Sequence, residues 1–132
     1  MALSQAITKI LKGLIYSIYL PLSMMVDNQD IKYIKHNRAR LKAGKREEST
    51  KRLMQFFADL EGKVKGMKGF VIMDSLKDSQ ESIVLTLWET KGDMDSFYQP
   101  DNKVLANFVE SSKILFEEMP ERNDYVVSSF KI

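Results

Sequence analysis

Two spacings of apolar residues alternate along the chain. From Met1 to Gln29, Leu3, Ile7, Ile10, Leu11, Leu14, Ile15 and Ile18 recur at helical spacing, with Ser4, Gln5, Thr8, Lys9 and Lys12 on the other side. This predicts an amphipathic helix that ends before Pro21. From Ile31 to Leu41 the period drops to two. Tyr33, Lys35, Asn37, Ala39 and Leu41 share one face of a predicted strand, and Ile34, His36, Arg38 and Arg40 share the other. The first face is expected to meet the helices. Gly44 breaks the strand, and Glu47 and Glu48 suit the positive end of a helix dipole. Thr50, Leu53, Met54, Phe57, Leu60 and Val64 then form a helical stripe that Gly66 closes.

The stretch from Gly66 to Tyr98 holds two strand-like runs, around Val71-Ile72-Met73 and from Ile83 to Trp88, separated by the polar segment Lys77 to Glu81. Their β-branched and aromatic content predicts an antiparallel hairpin. Gly92 to Tyr98 reads as a short helical turn stopped by Pro100. Leu105, Phe108, Val109, Ser112, Leu115, Phe116 and Met119 predict a further helix ended by Pro120, and Tyr125 to Ile132 returns to strand composition. The resulting order, β-α-β-β-α-β, is that of an α+β ferredoxin-like sheet with its helices on one face. Residues 30–132 are expected to form this domain, and residues 1–29 a helical extension of it.

Such a sheet leaves one face open. Ile83, Leu85 and Leu87 alternate with Ser82, Val84, Thr86 and Trp88, so both faces of the third strand are apolar enough for burial. The open face is expected to be covered by a second subunit, making a homodimer, or by the N-terminal helix. That helix is expected to pack on its own domain or across the dimer, in preference to lying on a membrane surface.

Composition narrows the chemistry. The chain of 132 residues suits one domain, and with no cysteine it has neither disulfides nor thiolate ligands. A single histidine, His36, excludes a multi-histidine metal site within one chain. Twenty basic and eighteen acidic residues are interspersed and leave a net charge of +2, which gives no footprint for nucleic acid. The uncharged run from Gly13 to Val26 is shorter than the ~20 residues of a spanning helix. Lysines inside the apolar pattern argue against a secretory signal, so the expected location is cytoplasmic.

The lone tryptophan, Trp88, falls near the end of the second hairpin strand, where it is either a core residue or the wall of a pocket. Around it, the run from Ile34 to Tyr98 resembles the antibiotic biosynthesis monooxygenases, a family of dimeric α+β barrels. The resemblance lies in the Asn37-Arg38 strand, Lys42-Ala43-Gly44, the Lys65 to Phe70 approach, the Leu85 to Glu89 strand and the turn at Phe97. It is nearest to the branch that degrades haem.

The resemblance implies a pocket between sheet and helices for a small aromatic molecule or haem. In the cofactor-independent members an ionised phenolic or quinol-like substrate reduces dioxygen itself, and the protein supplies position and charge stabilisation. Carried onto this chain, the site residues are Asn37 as polar contact and Trp88 as pocket wall, and Tyr98, by its nearness to the turn alone, is added to them as proton donor or relay. Haem cleavage by the family's geometry needs an axial histidine on the second helix, where this chain has Leu105-Ala106-Asn107-Phe108. Phe97 stands where that branch has a tryptophan. Oxidation without a cofactor is therefore expected ahead of haem binding or degradation, and a non-catalytic ligand-binding dimer is the other alternative.

Overall fold

Alternation in Tyr33–Leu41 produces β1, the strand from which the sheet extends on both sides. The computed structural model describes residues 31–131, so the predicted N-terminal helix and its boundary lie outside the described residues. Within Ile31–Ser129, β1 is followed by α1 (Arg46–Leu60), β2 (Met67–Asp74), β3 (Glu81–Trp88), the short α2 (Lys91–Phe97), α3 (Lys103–Ser112), a 3-10 turn and β4 (Phe116–Val126). The sheet is antiparallel throughout, in the order β2-β3-β1-β4. This is the ferredoxin-like arrangement predicted from the apolar spacing.

On β3 the face that carries Ser82, Thr86 and Trp88 is buried, while Ile83, Leu85 and Leu87 are only partly covered. The buried face meets Phe56 and Phe57 from α1, Met94 and Phe97 from α2, and Leu105 from α3. Ring stacking locks α1 into this layer. Phe56 stacks on Phe108 at 4.1 Å and Phe57 on Phe70 at 4.2 Å.

The hairpin between β2 and β3 is closed by side chains acting on the backbone. Ser75 Oγ accepts from the N–H groups of Lys77 and Asp78, and Asp78 Oδ1 accepts from the Gln80 N–H. Arg40 on β1 then reaches Asp78 Oδ2 at 2.7 Å. The Gln80 N–H first and the Arg40 guanidinium second hold the Asp78 carboxyl below its ordinary value.

Three expectations are corrected. First, α1 ends at Leu60, and Val64 packs on the core from the turn beyond. Second, the buried positions of α1 are Ser49, Phe56 and Phe57, whereas Met54 is 50 % exposed. Apolar residues surround the Leu53 to Phe57 stretch on several sides, and the two ring stacks decide which side turns inward. Third, Phe116, Met119 and Pro120 belong to a strand, and β4 ends at Val126 where a strand from Tyr125 was expected.

Proline in this strand has a geometric explanation. β4 is an edge strand, and its pairing with β1 shifts register between Arg38 and Arg40, opposite the Met119-Pro120 segment. A missing N–H is tolerated at an edge or a bulge, so Pro120 lies within the strand where it was expected to end a helix.

Candidate active site

The space between sheet and helices is a cavity of about 80 Å3. Its floor includes Asn37 and Ala39 of β1 and Val84 and Thr86 of β3, and its helical walls include Phe56, Leu105 and Phe108. A water needs roughly 10–15 Å3 of such space, so the cavity has room for several waters. Admitting an aromatic ring requires a shift of side chains at its rim, of which Arg52 and Arg122 are the longest.

Tyr98 reaches this cavity because local capping places it there. The Thr90 side chain accepts from the Asp93 N–H and starts α2, and Tyr98 caps its C-terminal end. Asn102 then donates to the Phe97 carbonyl at 2.7 Å while capping α3, which ties the two helices together around Tyr98.

The Tyr98 hydroxyl lies at the centre of a polar network in an otherwise apolar layer. Thr86 Oγ1 lies 3.0 Å from it, and Trp88 Nε1 donates to the same Thr86 oxygen at 2.8 Å. Asn37 Nδ2 donates to the Tyr98 hydroxyl at 3.4 Å and to the Val84 carbonyl at 3.1 Å. With the Thr86 hydroxyl donating to Tyr98, the phenol proton is left for a ligand. A rotation of the Thr86 O–H reverses the direction.

Charge and burial act oppositely on this phenol. Burial raises its pKa, while the hydrogen bonds from Thr86 and Asn37 and the nearby Arg122 lower it; burial prevails. Tyr98 is therefore a neutral donor at physiological pH. Lys35 Nζ lies 4.6 Å from the ring centre and Arg122 Cζ 4.9 Å, both within cation–π range. Lys35 is neutralised by Asp124 at 2.6 Å.

Of the three site residues taken from the sequence, Asn37 and Tyr98 meet at the cavity. Trp88 is fully buried and lies outside the cavity lining, against Phe97 at 5.4 Å. It touches the site through Thr86. The wall position assigned to it belongs instead to residues such as Phe97 and Val84. The Asn37 amide, expected as the polar contact of the site, donates to the Val84 carbonyl and the Tyr98 hydroxyl, which makes it an orienting group for the phenol.

His36 faces away, as the strand period requires. Its ring lies 6.0 Å from that of Tyr125, and no histidine lines the cavity. Histidine ligation of a haem in this space therefore does not fit the residues present. Among the described residues no three His, Cys, Asp or Glu side chains gather into a metal site.

Thr86, Arg52 and Arg122 were not singled out from the sequence. Thr86 had a readable signal, a hydroxyl two residues before Trp88 on the same strand face. Arg52 interrupts the apolar face of α1, and Arg122 is brought opposite Asn37 only by the β1–β4 register.

No protein-family model matches the sequence, and no curated protein is significantly similar to it. Solved structures do share the fold. A Nitrosomonas europaea protein assigned as an antibiotic biosynthesis monooxygenase aligns at a TM-score of 0.62 and 14% identity over 74% of this chain and 90% of its own. A Deinococcus radiodurans protein with the same assignment aligns at 0.60 and 13% identity, over 76% and 96%. SnoaB, a cofactor-independent oxygenase from Streptomyces nogalater, aligns at 0.61 and 10% identity, over 75% and 95%. The chain thus has the α+β fold of the antibiotic biosynthesis monooxygenases.

Proposed function

We propose that this protein is a monooxygenase that oxidises a small phenolic or quinol-like aromatic without a cofactor. The observation that carries the reading is the Tyr98 hydroxyl, held by Thr86 and Asn37 at the edge of an apolar cavity. A ring that enters as the phenolate, its proton left to solvent, is shielded from water there and transfers an electron to dioxygen. Carbon–oxygen bond formation gives a ring peroxide, and loss of water from it leaves a quinone. One oxygen atom enters the product, the other leaves as water, and all four electrons come from the phenol.

The protein's part is positional and electrostatic. Neutral Tyr98 supplies a proton to the departing peroxide oxygen, Asn37 and Thr86 orient it, and Arg122 stabilises negative charge at the rim. The solved oxygenases of the same fold support the choice of chemistry, and the lack of a histidine in the cavity wall favours it over haem cleavage.

The working unit is proposed to be a homodimer. On the sheet face that no other described element covers, Leu85 pairs with His36 on one side and Val71 on the other, and Met73 and Tyr125 extend the exposed apolar area.

Oxygen uptake with a panel of naphthols, quinols and anthrones tests the reaction. One heavy-oxygen atom should appear in the product, and uptake should fall on Tyr98→Phe. No uptake with any of these substrates, or uptake unchanged by both Tyr98→Phe and Asn37→Ala, would falsify the reading.

A further inference from the structure

Among the described residues, the cavity lining contains two arginines and no aspartate or glutamate. Arg122 is at the exposed rim, above the Tyr98 ring. Arg52 projects from α1 at the other side, where Nη2 donates to Ser111 Oγ at 2.8 Å and Ser112 Oγ at 3.3 Å. Those two hydroxyls hold the resting guanidinium against α3, and among the described residues no carboxylate pairs with its charge. Arg52 Nε is buried and has no hydrogen-bond partner.

This contrasts with the arginines elsewhere on the domain. Arg38 is paired with Glu81, Arg40 with Asp78, and Arg46 with Asp74 at 3.7 Å. A half-buried guanidinium with a free N–H beside an apolar cavity favours an anion, and a planar carboxylate suits a guanidinium best. The neighbouring walls, Phe56, Phe108 and Leu105, suit a flat ring.

We propose that Arg52 anchors the carboxylate of a hydroxyaromatic acid, so that the pocket's ligand is an anion with its ring hydroxyl directed toward Tyr98. The direction of the hydroxyl rests on the oxygenase reading, whereas the anion anchor does not. A carboxylate arriving at Arg52 takes the unpartnered Nε–H, and the guanidinium shifts from its resting place against Phe108, whose ring centre lies 6.0 Å from Cζ. That movement also enlarges the small resting cavity. Steering follows as well, because the formal charges that the described residues place on the cavity lining are positive.

The test compares gentisate, a hydroquinone with one carboxylate, with its neutral methyl ester, by calorimetry under argon. Gentisate is expected to bind the wild type at least ~tenfold more tightly, a preference abolished by Arg52→Gln and retained in Lys51→Gln, which removes an exposed charge from the same helix outside the cavity. Arg52→Lys keeps the charge and should weaken gentisate more than the ester, which serves if Arg52→Gln does not fold. Equal binding of acid and ester, failure of both to bind, an undiminished preference in Arg52→Gln, or equal weakening of both by Arg52→Lys overturns the proposal. Oxygen uptake is read separately. An acid preference without uptake leaves the anchor and removes the oxygenase reading, and uptake without an acid preference does the reverse.

Discussion

Thr86 Oγ1 lies 3.0 Å from the Tyr98 hydroxyl while accepting the indole N–H of Trp88 at 2.8 Å. One small hydroxyl therefore serves both the buried core and the candidate site. Trp88, with no exposure, depends on it for its hydrogen bond, and Tyr98 depends on it for the direction of its proton.

Thr86→Val keeps the side chain's shape and removes that hydroxyl. Leaving the Trp88 N–H buried without a partner should cost about 1–3 kcal/mol, and for a domain of about 100 residues each of these lowers Tm by roughly 4–8 °C. Tyr98→Phe leaves the Trp88–Thr86 bond intact and should cost less, about 1 kcal/mol. Urea unfolding ranks the two. On the oxygenase reading, Tyr98→Phe lowers turnover about 100-fold and Thr86→Val by less.

Gly66 is the position where glycine is required. Its φ is +79°, its carbonyl accepts from the Glu89 N–H, and a Cβ there would sit 2.7 Å from Cβ of Asp93. Gly44 and Gly62 also have positive φ, but a Cβ there meets nothing within 4 Å. Alanine at Gly44 or Gly62 should cost about 1–2 kcal/mol, the backbone penalty alone. Gly66→Ala should cost distinctly more, because the turn before β2 must move away from α2. Equal losses of stability at the three sites would contradict this account.

Asp78 makes stability depend on pH with a definite sign. Its folded pKa lies below the ordinary value of 3.8, so its contribution is present above that value and is lost as pH falls through the lowered one. Asp78→Asn keeps an acceptor for the Gln80 N–H but removes the charge facing Arg40. The wild type should be the more stable near neutral pH, with the difference shrinking below about pH 4. Thermal unfolding at a series of pH values, wild type against variant, measures the convergence. The group is exposed, and added salt should reduce the difference.

The open sheet face gives a prediction about assembly. Leu85 is at its middle, between His36 and Val71 in the strand register. Leu85→Asp should convert the proposed dimer to a folded monomer by placing a charge in the proposed interface. Sedimentation of both proteins at micromolar concentration decides it, and a wild type that runs only as monomer removes the dimer from the proposal.

The sequence by itself determined which residues share a face. A strand turns its side chains through a fixed period, so Asn37 was legible as facing the helices and His36 as facing away, before any contact was known. The hairpin was equally legible, since polar turn residues between β-branched runs act over a few positions. Only the tertiary structure decided what lies between faces. Trp88 stands behind the cavity because Phe97 and Tyr98, brought in by α2, occupy the space in front. Pro120 joins a strand because β4 lies at the sheet edge, which depends on the strand order. Among the described residues Arg52 has no counter-ion, because no carboxylate from another described element lines its cavity. Periodicity reports an element's own geometry, whereas a site's shape and charge arise from residues distant in the chain whose distances are set by packing.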